Sequence, residues 1–137
     1  MKLDPHAFLA DPELLAGLRK EAEPVFCQEE RVLFRQGDQA TGLYILNSGE
    51  AELTMDTPQG TRIMAIPAAP GSLLGLPGLI GSEPYSLTAV AHPGAELSFI
   101  SRDAFLNLMK TDLVLSLKVL QVLAAEVRSA RIALRDR

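Results

Sequence analysis

The spacing of apolar and polar residues changes twice along the chain, and each change predicts a different kind of structure. Residues 1–23 have a helical pattern. The leucines on its apolar face are Leu14, Leu15 and Leu18. Asp11 is the expected N-cap of this helix, and Pro12 suits its first turn. We expect Pro24 to end the helix, because proline cannot continue one.

Residues 24–101 show short apolar runs separated by turn residues, which is typical of an all-β sandwich or roll. Residues 43–46 are apolar without interruption and should form an inner strand. A half-buried strand is predicted where apolar and polar side chains alternate. The apolar members are Ala51, Leu53 and Met55, and the polar members are Glu50, Glu52 and Thr54. Gly37 and Gly49 fall at turns, where a positive φ is often needed.

Residues 102–137 return to a helical period. Ser101 is the expected N-cap of a first helix, and a second helix should begin at Thr111 or Asp112 and continue to the end of the chain. An apolar stripe runs along this second helix and is interrupted at Arg131. Its members are Leu113, Leu117, Leu120, Ala124, Val127 and Leu134.

This stripe belongs either to the core of the domain or to a subunit interface. A helix from Asp112 to Arg137 would be about 39 Å long, which is longer than a small β-roll is wide. We therefore expect its far end to pair with a second copy of the chain and form a homodimer. The predicted interface residues are Leu120, Ala124, Val127 and Leu134.

The composition is that of one soluble domain spanning residues 1–137, with 47% hydrophobic and 22% charged residues. A net charge of −4 argues against nucleic-acid binding by this chain alone, because few counterions would be released. The single cysteine, Cys27, excludes an intrachain disulfide and fits a reducing compartment. The chain lacks the apolar stretch of a signal peptide or a membrane span, so a cytoplasmic location is expected.

The sequence contains no recognisable catalytic or metal-binding constellation. His6 and His92 are the two histidines, and neither has a spaced partner with which to hold a metal. The serines form neither a Gly-x-Ser-x-Gly motif nor a triad-like arrangement with a histidine. We therefore expect a protein that is not an enzyme and that holds no metal or cofactor.

Three motifs occur in order, at residues 33–38, 43–49 and 71–75. With the order helix, β-roll, short helix and long helix, they resemble the cyclic-nucleotide-binding domain family. That family includes the sensor domains of the catabolite activator and FNR-type bacterial regulators. The resemblance implies a mainly β fold, a β-roll (double-stranded β-helix or jelly roll) with flanking helices and a long C-terminal helix. It also implies a regulatory domain that senses a small ligand and signals through that helix.

Residues 71–81 interleave four glycines with apolar residues, which suits either a loop and a helical turn facing a small anion or a buried connecting loop without a ligand. In the family this stretch is the phosphate-binding cassette. Gly75 matches the glycine of the cassette, but Leu76 replaces the glutamate that holds the ribose hydroxyl. Pro84 matches its proline, but Tyr85 replaces the arginine that grips the cyclic phosphate. The cassette is therefore degenerate at both polar anchors.

The missing arginine removes two charge-assisted hydrogen bonds, or about 3–6 kcal/mol, which weakens binding by about a hundred- to ten-thousandfold. We expect at most a weak cyclic nucleotide or another small anionic ligand. Arg62 and Arg131 are the basic residues that could substitute for the arginine, although each is expected to be a solvated surface group. The predicted binding residues are Leu74, Gly75, Leu76, Tyr85, Ser86, Leu87 and Arg131.

Two functions remain open. The chain is either a small-molecule sensor, for example the effector domain of a transcription regulator, or a degenerate dimerisation or docking domain that binds no ligand. In the family's bacterial regulators a helix-turn-helix follows the long helix, and this chain ends at Arg137, about where that helix would end. A stand-alone sensor and a truncated regulator are both compatible with this ending.

Overall fold

The computed structural model describes residues 4–135. A 3₁₀ turn at Pro5–Phe8 precedes helix α1, Pro12–Arg19. The Asp11 carboxylate accepts a hydrogen bond from the Leu14 amide at 2.8 Å, which confirms the predicted cap. The helix ends at Arg19, so the expected stop at Pro24 was wrong. Pro24 instead lies in a strand at the edge of a sheet. A proline is tolerated there, because its missing N–H can face away from the neighbouring strand.

Eight short strands follow and form two four-stranded antiparallel sheets. Their bounds are β1 Glu23–Phe26, β2 Arg31–Phe34, β3 Gly42–Ser48, β4 Ala51–Asp56, β5 Arg62–Ala68, β6 Leu73–Leu74, β7 Thr88–Ala91 and β8 Glu96–Ser101. The strand orders are β1-β8-β3-β6 and β2-β7-β4-β5. This arrangement confirms the predicted β-roll.

The inner strand and the half-buried strand differ in how well the sequence predicts them. Residues 43–46 are buried on both faces of β3, which lies between β8 and β6, as expected. In β4, Glu52 is exposed as predicted, but Thr54 is buried, so the expected alternation breaks there. Both residues pair with neighbouring strands on either side, so strand pairing alone does not explain why Thr54 is buried and Glu52 is exposed.

Gly37 and Gly49 adopt positive φ angles of 92° and 86°, as their turn positions predicted. A Cβ atom on Gly49 would also lie 2.8 Å from the Cα of Ala95. These two glycines therefore serve the fold and need no ligand to explain them.

Three further helices lie within residues 4–135: α2 Leu76–Gly81, α3 Arg102–Thr111 and α4 Leu113–Arg135. Ser101 caps α3 by accepting from the Ala104 amide at 3.2 Å. Of the two predicted caps for α4, Asp112 is the one used, since its Oδ1 accepts from the Leu115 amide at 3.1 Å. Within residues 4–135, no helix has both the length and the apolar character needed to cross a bilayer.

Helix α4 buries one face and exposes the other. The buried face packs on α1, α3 and the N-terminal turn. Its members are Leu115, Val119, Val122, Ser129 and Ala133. The predicted apolar stripe is on the exposed face: Leu113 is 77% exposed, Leu117 62% and Leu120 57%. The alternative that the stripe is simply core is therefore wrong for this chain on its own.

The core consists of two groups of side chains. The first lies between the two sheets of the roll. The second joins the β1-β8-β3-β6 sheet to the helices. Lys118 Nζ contacts Asp11 Oδ2 at 2.6 Å, and the Asp4 amide donates to Ser129 Oγ at 2.7 Å. Both contacts fasten the N-terminal segment to α4.

Candidate ligand-binding site

A cavity of about 230 Å³ lies between the β-roll and α4. Its wall combines the N-terminal turn, strands β2 and β4, the β6–α2 junction, residues 85–87 and one face of α4. The side chains are mostly apolar. The lining residues are Ala7, Phe8, Phe34, Leu53, Met55, Leu74, Gly75, Pro77, Gly78, Tyr85, Ser86, Leu87, Glu126, Val127, Ser129 and Ala130.

Most of the predicted site residues meet at this cavity, and two do not. Those that line it are Leu74, Gly75, Tyr85, Ser86 and Leu87. Leu76 is absent from the wall, and Arg131 is an exposed residue of α4 that also lies outside it. Arg62 lies elsewhere as well, on β5, where its Nε donates to Asp56 Oδ1 at 2.9 Å. As ligand contacts, all of these residues stay predictions.

Tyr85 is buried and makes a complete set of internal contacts. Its hydroxyl donates to the Gly42 carbonyl at 2.7 Å and accepts from the amides of Thr41 and Gly42, each at 3.2 Å. Its ring stacks on Phe34 with centroids 3.9 Å apart. The hydroxyl of Tyr85 is therefore engaged with the backbone of Thr41 and Gly42.

Gly75 and Tyr85 are packed against each other. Gly75 has a φ of 101°, and a Cβ atom there would lie 2.8 Å from Cε1 of Tyr85. Both the backbone conformation and the close approach thus require glycine.

Leu76, the residue after Gly75, is fully buried in the second core group. That group also contains Leu14, Leu18 and Phe105. The position that the resemblance gives to a ribose-binding glutamate is thus occupied by a core residue outside the cavity wall.

Sequence reasoning missed Glu126, the acidic residue that lines the cavity from α4. Its Oε1 is buried and has no hydrogen-bond partner among the described residues. Burial raises the pKa of its carboxyl to about 8. The signal that could have found it is the buried face of α4, where Val122, Glu126 and Ser129 follow each other at spacings of four and three.

The cavity offers no positive charge to a bound anion. Within residues 4–135, none of the lining residues is lysine, arginine or histidine. The polar side chains of the wall are Tyr85, Ser86, Glu126 and Ser129, and the Ser129 hydroxyl already accepts the Asp4 amide. Among residues 4–135, no three or more His, Cys, Asp or Glu side chains are grouped so that they could hold a metal ion.

The sequence model of the family described as "Cyclic nucleotide-binding domain" matches residues 24–112. The chain belongs to this family. A curated relative of this cyclic nucleotide-binding domain is the CRP-like cAMP-activated global transcriptional regulator of Mycobacterium tuberculosis, 24% identical over 126 residues. The match covers 92% of this chain and 56% of the relative, so the domain spans about half the length of that regulator.

Two solved structures show how widely the fold is shared. The catabolite activator protein of Thermus thermophilus superposes with a TM-score of 0.79 at 24% identity, over 96% of this chain and 62% of that one. A cyclic nucleotide-binding-like protein from Brucella abortus is 33% identical, with a TM-score of 0.57, over 73% of this chain and 85% of that one. The cyclic nucleotide-binding domain described here therefore has the fold of its family.

Proposed function

We propose that this cyclic nucleotide-binding domain is the ligand-sensing part of a CRP-type transcription regulator in the cytoplasm, and that α4 both contacts the ligand and joins two copies of the chain. The observation that supports the proposal is the position of Val127. It lines the cavity and also belongs to the exposed apolar stripe, with 49% of its surface accessible. A ligand in the cavity thus touches the helix that carries the predicted interface.

The exposed stripe supports a second copy of the chain as the partner. Large apolar side chains left in water on one helix face favour association, since each 100 Å² of apolar surface buried contributes about 2.5 kcal/mol. A two-fold axis along α4 would place the same stripe against itself. The residues assigned to that interface are Leu120, Ala124, Val127 and Leu134. Arg131, also exposed, would have to point away from the seam.

The ligand of this sensor is proposed to be something other than a tightly bound cyclic nucleotide. The hydroxyl of Tyr85 is engaged with Gly42, and Leu76 lies in the core. Transfer of a phosphate from water into a wall without cations is costly. Contact with DNA is assigned to another part of the regulator, because the net charge of −4 disfavours phosphate binding by residues 1–137.

The alternative is a dimerisation domain without a ligand. The packing of Tyr85 on Phe34 favours it, since these rings occupy part of the space between the sheets. In that case dimers would form, but no small molecule would change their dissociation.

Sedimentation velocity over a range of protein concentrations tests the dimer on which the proposal depends. The wild type should sediment as a dimer at high micromolar concentration. Leu120→Glu should shift it to a monomer, because like charges would face each other across the axis. Gln121→Glu is the matched control, since Gln121 is exposed on the same turn but outside the stripe. A monomeric wild type would contradict the dimer, and equal effects of both variants would contradict the interface.

A further inference from the structure

The carboxyl group of Glu126 gives the cavity a chemical character that the cassette does not explain. Glu126 lines the cavity from α4, and the rings of Phe8, Phe34 and Tyr85 line the same cavity. Its Oε1 has lost its contact with water and has gained no partner within residues 4–135. A buried polar atom of this kind costs about 1–3 kcal/mol unless a partner is supplied. A ligand that donates a hydrogen bond is such a partner.

The negative charge that the Glu126 carboxyl carries when it is ionised favours a positively charged ligand. The ionised carboxyl would repel an anion, and among the described residues no cation lines the cavity to attract one. A protonated amine would form a charge-assisted hydrogen bond with the carboxylate. Aromatic rings in the wall also favour a cation, because the faces of their π systems are negative.

The volume limits the size of the ligand. An apolar cavity of about 150 Å³ takes up benzene. The 230 Å³ found here therefore has room for a single ring with a short side chain.

We propose that the cavity binds a small arylalkylamine, whose ammonium group donates to Glu126 and whose ring packs among Phe8, Phe34 and Leu87. The inference rests on the proposed sensor function and names the ligand class of its site. Glu126 is then the residue that distinguishes an amine from a neutral or anionic compound of the same shape.

The proton balance of binding follows from the burial of Glu126, which raises its pKa to about 8. Below that pH the empty cavity holds the carboxyl in its neutral form. Binding of the ammonium group stabilises the carboxylate, so the proton of Glu126 passes to the solvent. The affinity for an amine should therefore rise by up to about tenfold per pH unit between pH 6 and 8.

Few other ionisable groups act on this site. Tyr85 is the other ionisable side chain of the cavity wall among residues 4–135, and its hydroxyl is bonded to Gly42. Asp4, His6 and Arg128 line an adjoining hollow that shares Ala7 and Ser129 with the cavity. They do not line the cavity itself.

Calorimetric titration of the full chain with three compounds that each carry a polar group on a phenylethyl chain tests the proposal. Phenethylamine should bind at least tenfold more tightly at pH 8 than phenethyl alcohol, and 3-phenylpropionate should bind least. Glu126→Gln should remove this preference and the pH dependence, while binding of the alcohol stays within about twofold. Glu52→Gln, which changes an exposed carboxylate of β4, is the matched control and should keep both.

Equal affinities for the amine and the alcohol, or a preference that survives in Glu126→Gln, would overturn the proposal. Absence of binding by all three compounds would overturn it as well. The sensor function is judged separately. If the alcohol binds and shifts the dimer equilibrium without any preference for the amine, the sensor stands and the amine class fails. If the wild type sediments as a monomer, that result contradicts the sensor proposal instead.

Discussion

The hydroxyl group of Tyr85 lies 2.7 Å from the carbonyl oxygen of Gly42 and donates a hydrogen bond to it. Two backbone amides, of Thr41 and Gly42, donate to the same hydroxyl. This side chain therefore connects the segment after α2 to the start of β3.

Tyr85→Phe should lower the free energy of unfolding by about 1–3 kcal/mol, because it leaves buried backbone groups of Gly42 without their partner. Urea denaturation followed by circular dichroism measures the change. Tyr44→Phe is the matched control. The Tyr44 ring is also largely buried, but its hydroxyl makes no hydrogen bond to another described residue. A loss of the same size in both variants would contradict the role given to the Tyr85 hydroxyl.

Glu126→Gln should change how stability depends on pH. Burial raises the pKa of Glu126 from its usual 4.5 to about 8 in the folded protein. Between these values the folded state keeps a proton that the unfolded state has lost, so the wild type loses stability as the pH rises. Glu126→Gln has no ionisable group at this position, so its stability does not fall with pH for this reason. Above pH 8 it should be the more stable protein, by at most about 5 kcal/mol.

Urea titrations at pH 6 and pH 8.5 measure this difference. Glu52→Gln should keep the wild-type dependence, since its carboxylate is exposed. Parallel pH profiles for the wild type and Glu126→Gln would show that Glu126 is not buried as described.

The affinity for cAMP should be weak in the wild type and should improve in Ser86→Arg. Ser86 is exposed and lines the cavity, so an arginine there can reach a phosphate without disturbing Tyr85. We expect no submicromolar dissociation constant for the wild type and a gain of at least about tenfold in the variant, from one or two charge-assisted hydrogen bonds. Calorimetry measures both.

Gln28→Arg adds the same charge at an exposed position outside the cavity and should bind cAMP as weakly as the wild type. Tight binding by the wild type would mean that the missing arginine does not limit affinity. A gain in Gln28→Arg equal to that in Ser86→Arg would mean that net charge alone accounts for the improvement.

The features that the sequence predicted correctly are those that local chemistry determines. Asp11 and Asp112 cap their helices because a carboxylate directly before a helical period has a free amide within reach. The inner strand at residues 43–46 follows from an apolar run bounded by turns. The spacing of apolar residues predicted the stripe on α4. That spacing alone could not show whether the stripe is exposed or belongs to the core.

The features that the sequence did not predict depend on contacts distant in the chain. The left-handed conformation of Gly75 sets the direction of the chain at Leu76, whose side chain is buried in the core, so substitution by glutamate would place a charge among leucines. Thr54 is buried although it falls at a polar position of the alternation in β4. Glu126 lies on the regular buried face of α4, but only the cavity shows why an acid occupies that position.

The placement of Val127 has a thermodynamic consequence for the proposed sensor. One side chain belongs both to the cavity wall and to the helix face that a second copy would cover. Ligand uptake and chain association are then linked, and linkage is reciprocal: a compound that fills both cavities and strengthens association tenfold must be held about threefold more tightly at each cavity of the dimer. The apparent affinity of the domain for its ligand would therefore depend on how much of the protein the cell contains.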